Sequence, residues 1–287
     1  MRSRFLARVV IAGLAVSVVI TLGCGITEPS PPPPPDVQPP SASQRAALSL
    51  LEAASVHMQV TTSPLTWASQ EGRVILTNGP CGSVESGSVQ ATLDGGVAPT
   101  SGTFLPTGSH TYVVSFSNCL VNGGESTLLN GVASAAYNVA DWSSATATVS
   151  ADSVRGQGLG VSGLNDVTAE GSAVWTRVRS GSERRTATYT PATGSRLVNT
   201  LTTNVATFGG GAYSVILTDR VERRFDNLKV AINGTEYTLN GSLEVTSGTT
   251  YYTGEVRITN NGTLVARIYG DVRKALTIEV LVALVPL

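Results

Sequence analysis

Histidine is the side chain best suited to acid–base chemistry near neutral pH, and this chain of 287 residues has two, His57 and His110. Either could activate one of the many serines as a nucleophile. The Gly-x-Ser-x-Gly turn that exposes a nucleophilic serine in many hydrolases does not occur in the sequence. The sequence therefore predicts a protein that is not an enzyme and singles out no catalytic residue, with a hydrolase as an alternative.

Patterns that hold metals or cofactors are absent or lie in the wrong context. Neither the cysteine and histidine spacing of a zinc site nor an aspartate-rich calcium loop occurs. Gly158, Gly160 and Gly163 match the letters of a dinucleotide-binding fingerprint. That fingerprint requires a helix directly after it, and here the flanking segments are strand-like. We therefore predict a loop at this position, and no metal or cofactor.

The composition excludes several classes of protein. Charged residues make up 14% of the chain and the net charge is −1, whereas about a quarter of the residues in a typical protein are charged. Such a chain lacks the basic surface that binds nucleic acid and the charge pattern of a long coiled coil. We expect no nucleic-acid partner.

The first residues have the pattern of an export signal. Residues 1–8 contain three arginines and no acid, and an apolar run extends from Val9 to Leu22. A basic start followed by a short apolar run is typical of a secretory signal peptide. The run is shorter than the about 20 residues of a membrane-spanning helix, although an extension to Ile26 leaves an uncleaved anchor as an alternative.

The apolar run ends at Gly23 and Cys24, and here the sequence resembles bacterial lipoproteins. In that family a small residue precedes a cysteine that is diacylated on its sulfur and becomes the new N-terminus. Thr21 stands where the family usually has leucine. The resemblance implies a signal peptide over residues 1–23, lipidation of Cys24 and anchoring in the cell envelope. Gly25 replaces the aspartate that favours the inner membrane, which implies the outer membrane.

The pattern of residues 24–41 predicts a lipidated cysteine followed by a tether. The stretch 29–40 contains eight prolines among its twelve residues. Such a run adopts extended polyproline II and cannot form a packed core. At about 3.1 Å per residue the segment could hold a domain roughly 50 Å from a membrane. A proline-rich ligand for a partner domain is the alternative.

Residues 42–287 predict a single β-rich domain with one helix. Apolar residues recur every three to four positions over residues 43–59, which indicates an amphipathic helix that caps or plugs an open end of a sheet. From Arg73 onward the period is two, and turns such as Asn233-Gly234 separate the runs. Connections this short exclude parallel crossovers. We predict an all-β fold, a large antiparallel meander that forms an open or closed barrel or a sandwich.

A hairpin pattern occurs twice, over residues 116–131 and 225–241. Each copy begins with Phe-x-Asn and ends with Leu-Asn-Gly. The repeat indicates a duplicated β unit, and the alternative is that long meanders reuse similar hairpins.

Cys81 and Cys119 remain once Cys24 is assigned to lipid. An even pair in an exported chain predicts a disulfide. The alternative, a redox or metal pair, lacks a Cys-x-x-Cys motif and has only His110 nearby. The arrangement of Cys81-Gly82 and of residues 116–131 also resembles a motif of uncharacterised bacterial lipoproteins, which implies the disulfide and no activity.

Two groups of arginines are predicted at hairpins. The first spans residues 177–185 and the second spans residues 220–224. They could face anionic lipid headgroups or form solvated rims with neighbouring acids. Arg223 of the second group and Asp219 share a strand face with apolar residues, and such inward charges are expected to pair with each other or to disfavour wrong strand pairings. Trp67, Trp142 and Trp175 favour packing in the core or at its rim over a stacked carbohydrate platform.

These features predict a membrane-anchored envelope lipoprotein whose β domain has a non-enzymatic structural or interaction role. The alternative is a carrier that holds a lipid or other hydrophobic ligand in a half-barrel cavity. The expected partners are the membrane, through the lipid anchor, and a lipid or an envelope protein. A dry cavity under the helix would favour the carrier.

Overall fold

The computed structural model describes residues 40–62, 79–81, 87–97, 100, 103–122, 126–158, 164–180, 184–246, 252–270 and 276–287. The predicted signal peptide, Cys24, nearly all of the tether and Trp67 lie outside the described residues.

One helix, α1 (Ala42–Thr61), begins the described part of the domain. The Ser41 hydroxyl accepts a hydrogen bond from the Gln44 backbone N–H, and the Gln44 side chain accepts one from the Ser41 N–H. This reciprocal capping box satisfies two N–H groups that have no partner within the helix. At the other end the backbone N–H of Thr62 donates to the carbonyl of Met58. The helix is slightly longer than the predicted 43–59.

The described residues form fifteen strands, and they belong to one sheet. The strands are β1 (Gly79–Pro80), β2 (Ser88–Leu93), β3 (Gly96–Val97), β4 (Gly108–Asn122), β5 (Ser126–Asp141), β6 (Ser144–Gln157), β7 (Asp166–Ser180), β8 (Arg184–Pro191), β9 (Arg196–Asn199), β10 (Val205–Leu217), β11 (Arg220–Ile232), β12 (Thr235–Thr246), β13 (Tyr252–Asn260), β14 (Thr263–Gly270) and β15 (Thr277–Val280).

Neighbouring strands of the sheet are joined almost entirely in chain order. The order runs β1, β2, β4 to β8, then β10 to β15, while β3 pairs with β2 and the short β9 pairs with both β7 and β10. Every pairing is antiparallel. The predicted all-β antiparallel meander with one N-terminal helix is confirmed. Within the described ranges no pairing joins β1 to β15.

Bulges bend the long strands, and two of them occupy the repeated sequence pattern. Asn118 and Asn227 have φ angles of 48° and 47°, and the register shifts beside each of them. The glycines that close the two copies, Gly131 and Gly241, lie opposite the phenylalanines that open them and have φ angles of 116° and 115°. A bulge increases the twist and bends a strand. The repeat in sequence is therefore a repeat in structure.

The sheet curves around the helix. Thirteen of the twenty residues of α1 are buried, and they include every residue from Leu50 to His57. The helix contacts β5, β6, β7, β9, β10 and β15, which lie in both halves of the sheet. A helix that is buried on all sides must be surrounded by protein. The predicted helix is therefore present and is buried on more than the one apolar face that its spacing indicates, because α1 packs on the inner side of the sheet.

Candidate binding site

His57, the first candidate base, is enclosed in the core. Its Nδ1 shares a hydrogen bond with the hydroxyl of Tyr189, and its Nε2 lies 3.1 Å from the carbonyl oxygen of Glu170. Burial lowers the pKa of His57 from 6.5 to about 4. The imidazole is therefore neutral at physiological pH, donating from Nε2 and accepting at Nδ1. Both ring nitrogens serve the attachment of the helix to the sheet.

Other polar groups on the helix make similar attachments. A carboxylate oxygen of Glu52 lies 2.8 Å from Nη1 of Arg223 on β11. The Thr61 hydroxyl lies 2.9 Å from the hydroxyl of Tyr189 on β8. Nε2 of Gln44 donates to the carbonyl of Ile278 on β15. Polar side chains of α1 thus have partners on β8, β11 and β15.

His110, the second candidate base, forms an exposed pair with Asp94. Nδ1 of His110 is 2.7 Å from Oδ2 of Asp94, whose Oδ1 accepts from the Thr111 N–H at 2.8 Å. The Asp94 hydrogen bond raises the pKa of His110, and the His110 hydrogen bond lowers the pKa of Asp94. The other ring nitrogen lies 3.1 Å from the carbonyl oxygen of Thr107. The pair fixes the β2–β3 turn against β4.

Tyr137 lies directly opposite His110 in the β4–β5 pair. Its side chain is buried, and its hydroxyl is the one buried side-chain polar atom of the described residues that has no hydrogen-bond partner. Burial raises the pKa of Tyr137 above its usual range. The Tyr137 ring packs against the rings of His110 and Trp142, with centroids 5.7 and 5.5 Å away.

An open groove lies at this end of the sheet, beside Trp142. Its volume is about 570 Å³. We call it the rim groove, and it is lined by Phe104, Thr107, Ala140, Asp141, Trp142, Ser143 and Arg179. Its residues come from three segments of the chain: the loop before β4, the β5–β6 turn and the end of β7.

Hydrogen bonds hold the walls of the rim groove in place. Nε1 of Trp142 donates to the carbonyl of Leu105 at 3.1 Å. The Asp141 carboxylate accepts from both the backbone N–H and the hydroxyl of Ser143. The backbone N–H of Arg179 donates to the Ser143 carbonyl at 2.8 Å. These bonds set the shape of the groove before any ligand arrives.

Three arginines share one face of the sheet, and one of them, Arg179, lines the groove. Trp175, Arg177 and Arg179 alternate along β7, and Trp175 is buried in the core, so all three lie on the inner face. Arg185 on β8 is directly opposite Arg179. We call Arg177, Arg179 and Arg185 the rim arginines. Arg184, the fourth residue of the predicted group, lies on the other face.

The second predicted arginine group is neutralised by acids. Arg220 pairs with Glu244, and Arg224 pairs with Glu222 at 2.8 Å. Arg223 points inward to the helix. The carboxylate that pairs with Arg223 is Glu52 of α1, whereas Asp219 lies 3.8 Å from Arg220.

The predicted cysteine pair and two of the three tryptophans lie within the described residues. Cys81 and Cys119 are joined by a disulfide, with Cα atoms 5.2 Å apart. Trp175 is in the core, whereas Trp142 is partly buried in the β5–β6 turn. The rim groove was not predicted from the sequence. The one hint of a groove in the sequence was Trp142, because the tight turn after Asp141 does not require a large aromatic residue.

Comparison with known proteins adds no relative. No protein-family model, no curated protein and no solved structure matches the chain. In the described part of the chain, no three histidine, cysteine or acidic residues are grouped so that they could hold a metal ion. Of the described residues, no helix combines the length and the apolar character needed to cross a membrane.

Proposed function

We propose that the protein is a lipid-anchored, non-enzymatic component of the cell envelope whose β domain is an interaction module. The observation that carries the proposal is the order of the segments: a basic and apolar leader, Gly23-Cys24, a proline-rich tether and then the β domain. This order fits a domain that is exported by the leader, anchored by lipid at Cys24 and held away from the membrane by the tether.

Lipidation of Cys24 would supply the anchor. Each buried CH₂ contributes about 0.8 kcal/mol, and a single acyl chain gives only marginal binding. A diacylated cysteine carries enough buried carbon for stable anchoring. We assign the anchor to the outer membrane because Gly25 follows the cysteine.

The contacts of the two histidines support a role without catalysis. His57 is enclosed and bonded at both ring nitrogens. His110 is bonded to Asp94 and to the Thr107 carbonyl. Neither ring presents a free nitrogen to a neighbouring serine.

The position of the helix favours an interaction module over a lipid carrier. A carrier needs an apolar space of several hundred Å³ on the inner side of the sheet, and α1 packs there with residues such as Leu50 and Ala53 completely buried. A lipid could enter only if α1 left the sheet and broke its bonds to Arg223 and Tyr189.

The anchor is tested by membrane fractionation and palmitate labelling of cells that express the full chain. Wild type should be labelled and should sediment with the outer membrane. Cys24→Ala should lose the label and keep its leader, while Thr21→Leu, which restores the usual family residue, should be processed at least as well as wild type. A Cys24→Ala variant that is labelled and cleaved like wild type would overturn the proposal.

A further inference from the structure

We infer that the partner of the interaction module is a second copy of this chain, bound sheet against sheet through the outer face of strands β5 to β8. The inference rests on the proposed function and names the partner. Three features carry it: an outer face without charge, hydroxyl groups that bond to one another, and an area close to that of a stable dimer.

The outer face of these strands is formed by every second residue of 134–138, 144–150, 172–178 and 186–190. The residues between them, such as Ala135, Ala147 and Tyr189, are buried in the core. Because side chains alternate along a strand, the outer positions point away from α1. Cross-strand pairing aligns them in rows. We call this set of residues the uncharged face.

No position of the uncharged face has a charged side chain, and serine, threonine and valine predominate. The outer face of β11 to β15 differs, since it carries charged residues such as Arg224, Arg257 and Glu279. Charge also appears at the borders of the uncharged face, at Asp152 and Arg184. An uncharged centre with a charged border is typical of protein interfaces, because a charge that is buried there loses its hydration.

The uncharged face can lose its water at little cost. Oγ of Ser134 lies 2.7 Å from Oγ of Ser150, and Oγ1 of Thr188 lies 3.0 Å from Oγ of Ser214 on β10. Hydroxyls that bond to each other keep a partner when the surface is covered. Val174 and Val178 are 45% and 48% exposed, and burial of such side chains stabilises an interface.

The lack of charge limits what can cover this face. A partner that placed a charged group against it would bury that charge without a counter-charge, so the partner surface must be uncharged as well. The same face of a second copy meets this requirement. A twisted sheet that curves around a helix is saddle-shaped, and two such faces fit when their strands cross at a large angle. One two-fold axis then relates the copies.

The area is close to what a dimer needs. Neighbouring strands lie about 4.8 Å apart and residues of one face repeat about every 6.8 Å along a strand. Outward residues of β4 at 109–113 and of β10 at 214–216 extend the surface without adding charge. The whole covers roughly 600 Å² in projection, and more as accessible surface, whereas a stable interface buries about 800 Å² per partner. Two copies anchored in one membrane would also have a raised effective concentration.

The inference is tested by sedimentation equilibrium of the full chain in a density-matched detergent. Wild type should show a monomer–dimer equilibrium. Val174→Lys and Val178→Lys should each raise the dissociation constant at least about tenfold, because the symmetric interface would bury two unpaired charges. Leu201→Lys is the matched control, since it places a lysine at an apolar residue that is 75% exposed and lies outside the face. It should dimerise like wild type at equal folded fraction by circular dichroism.

Cross-linking in membranes of expressing cells gives a second measurement. Thr176→Cys places a thiol in the uncharged face, and Ser242→Cys places one on the outer face of β12, opposite Arg224 and Glu255. Cys81 and Cys119 are joined to each other. A flexible bismaleimide should join two Thr176→Cys chains and should join Ser242→Cys chains far less.

Four outcomes would overturn the inference: a wild type that is monomeric at every concentration, dimers that the two valine variants do not weaken, equal weakening by Leu201→Lys, or cross-links from Thr176→Cys to a different protein. The anchor is tested separately by palmitate labelling of Cys24. A labelled but monomeric wild type would remove only the second copy, whereas an unlabelled chain that dimerises would remove only the anchor.

Discussion

Oε1 of Glu52 lies 2.8 Å from Nη1 of Arg223, and this ion pair joins the enclosed helix to β11. The two side chains are only 6% and 20% exposed. Residues 171 positions apart in the chain therefore share a buried charge interaction. The Coulomb energy of such a pair is offset by desolvation, yet the loss of one partner is costly because the other charge stays buried.

Removal of the Glu52 charge should strongly destabilise the fold. Glu52→Gln removes the carboxylate that faces the buried Arg223, and we expect a loss of about 3–5 kcal/mol in the free energy of unfolding, measured by urea denaturation. Glu255→Gln breaks the exposed pair with Arg257 and should cost less than about 1 kcal/mol. Equal losses in the two variants would show that the Glu52–Arg223 pair is not effectively buried.

The enclosed imidazole of His57 should make the protein sensitive to acid. Its pKa is about 4 in the folded chain and 6.5 in the unfolded chain, so the unfolded chain takes up the proton first. The contribution is fully present above pH 6.5 and is lost as the pH falls toward 4. The total loss is about 3 kcal/mol, at about 1.4 kcal/mol for each pH unit.

Urea denaturation at a series of pH values tests this contribution. The stability difference between wild type and His57→Gln should shrink as the pH is lowered from 6.5 to 4. His110→Gln is the matched control, since the pKa of His110 is raised and not lowered. It should leave the acid-dependent loss of stability in place. A constant difference between wild type and His57→Gln would refute the assignment.

Two buried tyrosines should respond in opposite ways to the loss of their hydroxyls. Tyr137 has no hydrogen-bond partner for its hydroxyl, so Tyr137→Phe should leave the free energy of unfolding unchanged or raise it by up to about 1 kcal/mol. The Tyr189 hydroxyl is bonded to His57 and Thr61. Tyr189→Phe should therefore cost about 1–3 kcal/mol. Thermal unfolding should give a melting temperature below wild type for Tyr189→Phe and one equal to or above wild type for Tyr137→Phe. A Tyr137→Phe variant that melts below wild type would show that this hydroxyl has a structural partner.

The strands were predictable because their signals are local. Asn233-Gly234 and Asn261-Gly262 predict tight turns, and they connect β11 to β12 and β13 to β14 with positive φ at each residue. Such turns match the twist of an antiparallel pair. Alternation also placed Arg223 on the inner face. These features depend on residues that are neighbours in the chain.

The enclosure of the helix and the rim groove were not predictable, because their partners are distant in sequence. Helical spacing over residues 43–59 indicates one apolar face, but the burial of His57 depends on Tyr189, 132 positions away. The rim groove combines Phe104, the β5–β6 turn and Arg179. No periodic pattern in a single sequence reports which distant segments a curved sheet brings together.

The glycine that closes the second copy of the repeat gives a prediction about how closely β12 and β13 approach each other. At Gly241 the φ angle is 115° and an added Cβ would overlap the carbonyl oxygen of Glu255 on β13. At Gly262 the φ angle is 79°, and an added Cβ would meet no atom within 4 Å. Both positions disfavour a side chain, but only at Gly241 would the added Cβ also meet the backbone of a neighbouring strand.

We expect Gly262→Ala to cost about 1 kcal/mol, the usual penalty for a left-handed residue with a side chain. Gly241→Ala should cost at least about 2 kcal/mol more, because β12 and β13 must also separate. Gly131→Ala, the equivalent change in the other copy, meets the backbone of Ser153 and Val154 and should behave like Gly241→Ala. Urea denaturation of the three variants distinguishes these costs, and similar values for Gly241→Ala and Gly262→Ala would mean that the bulges do not set the strand spacing.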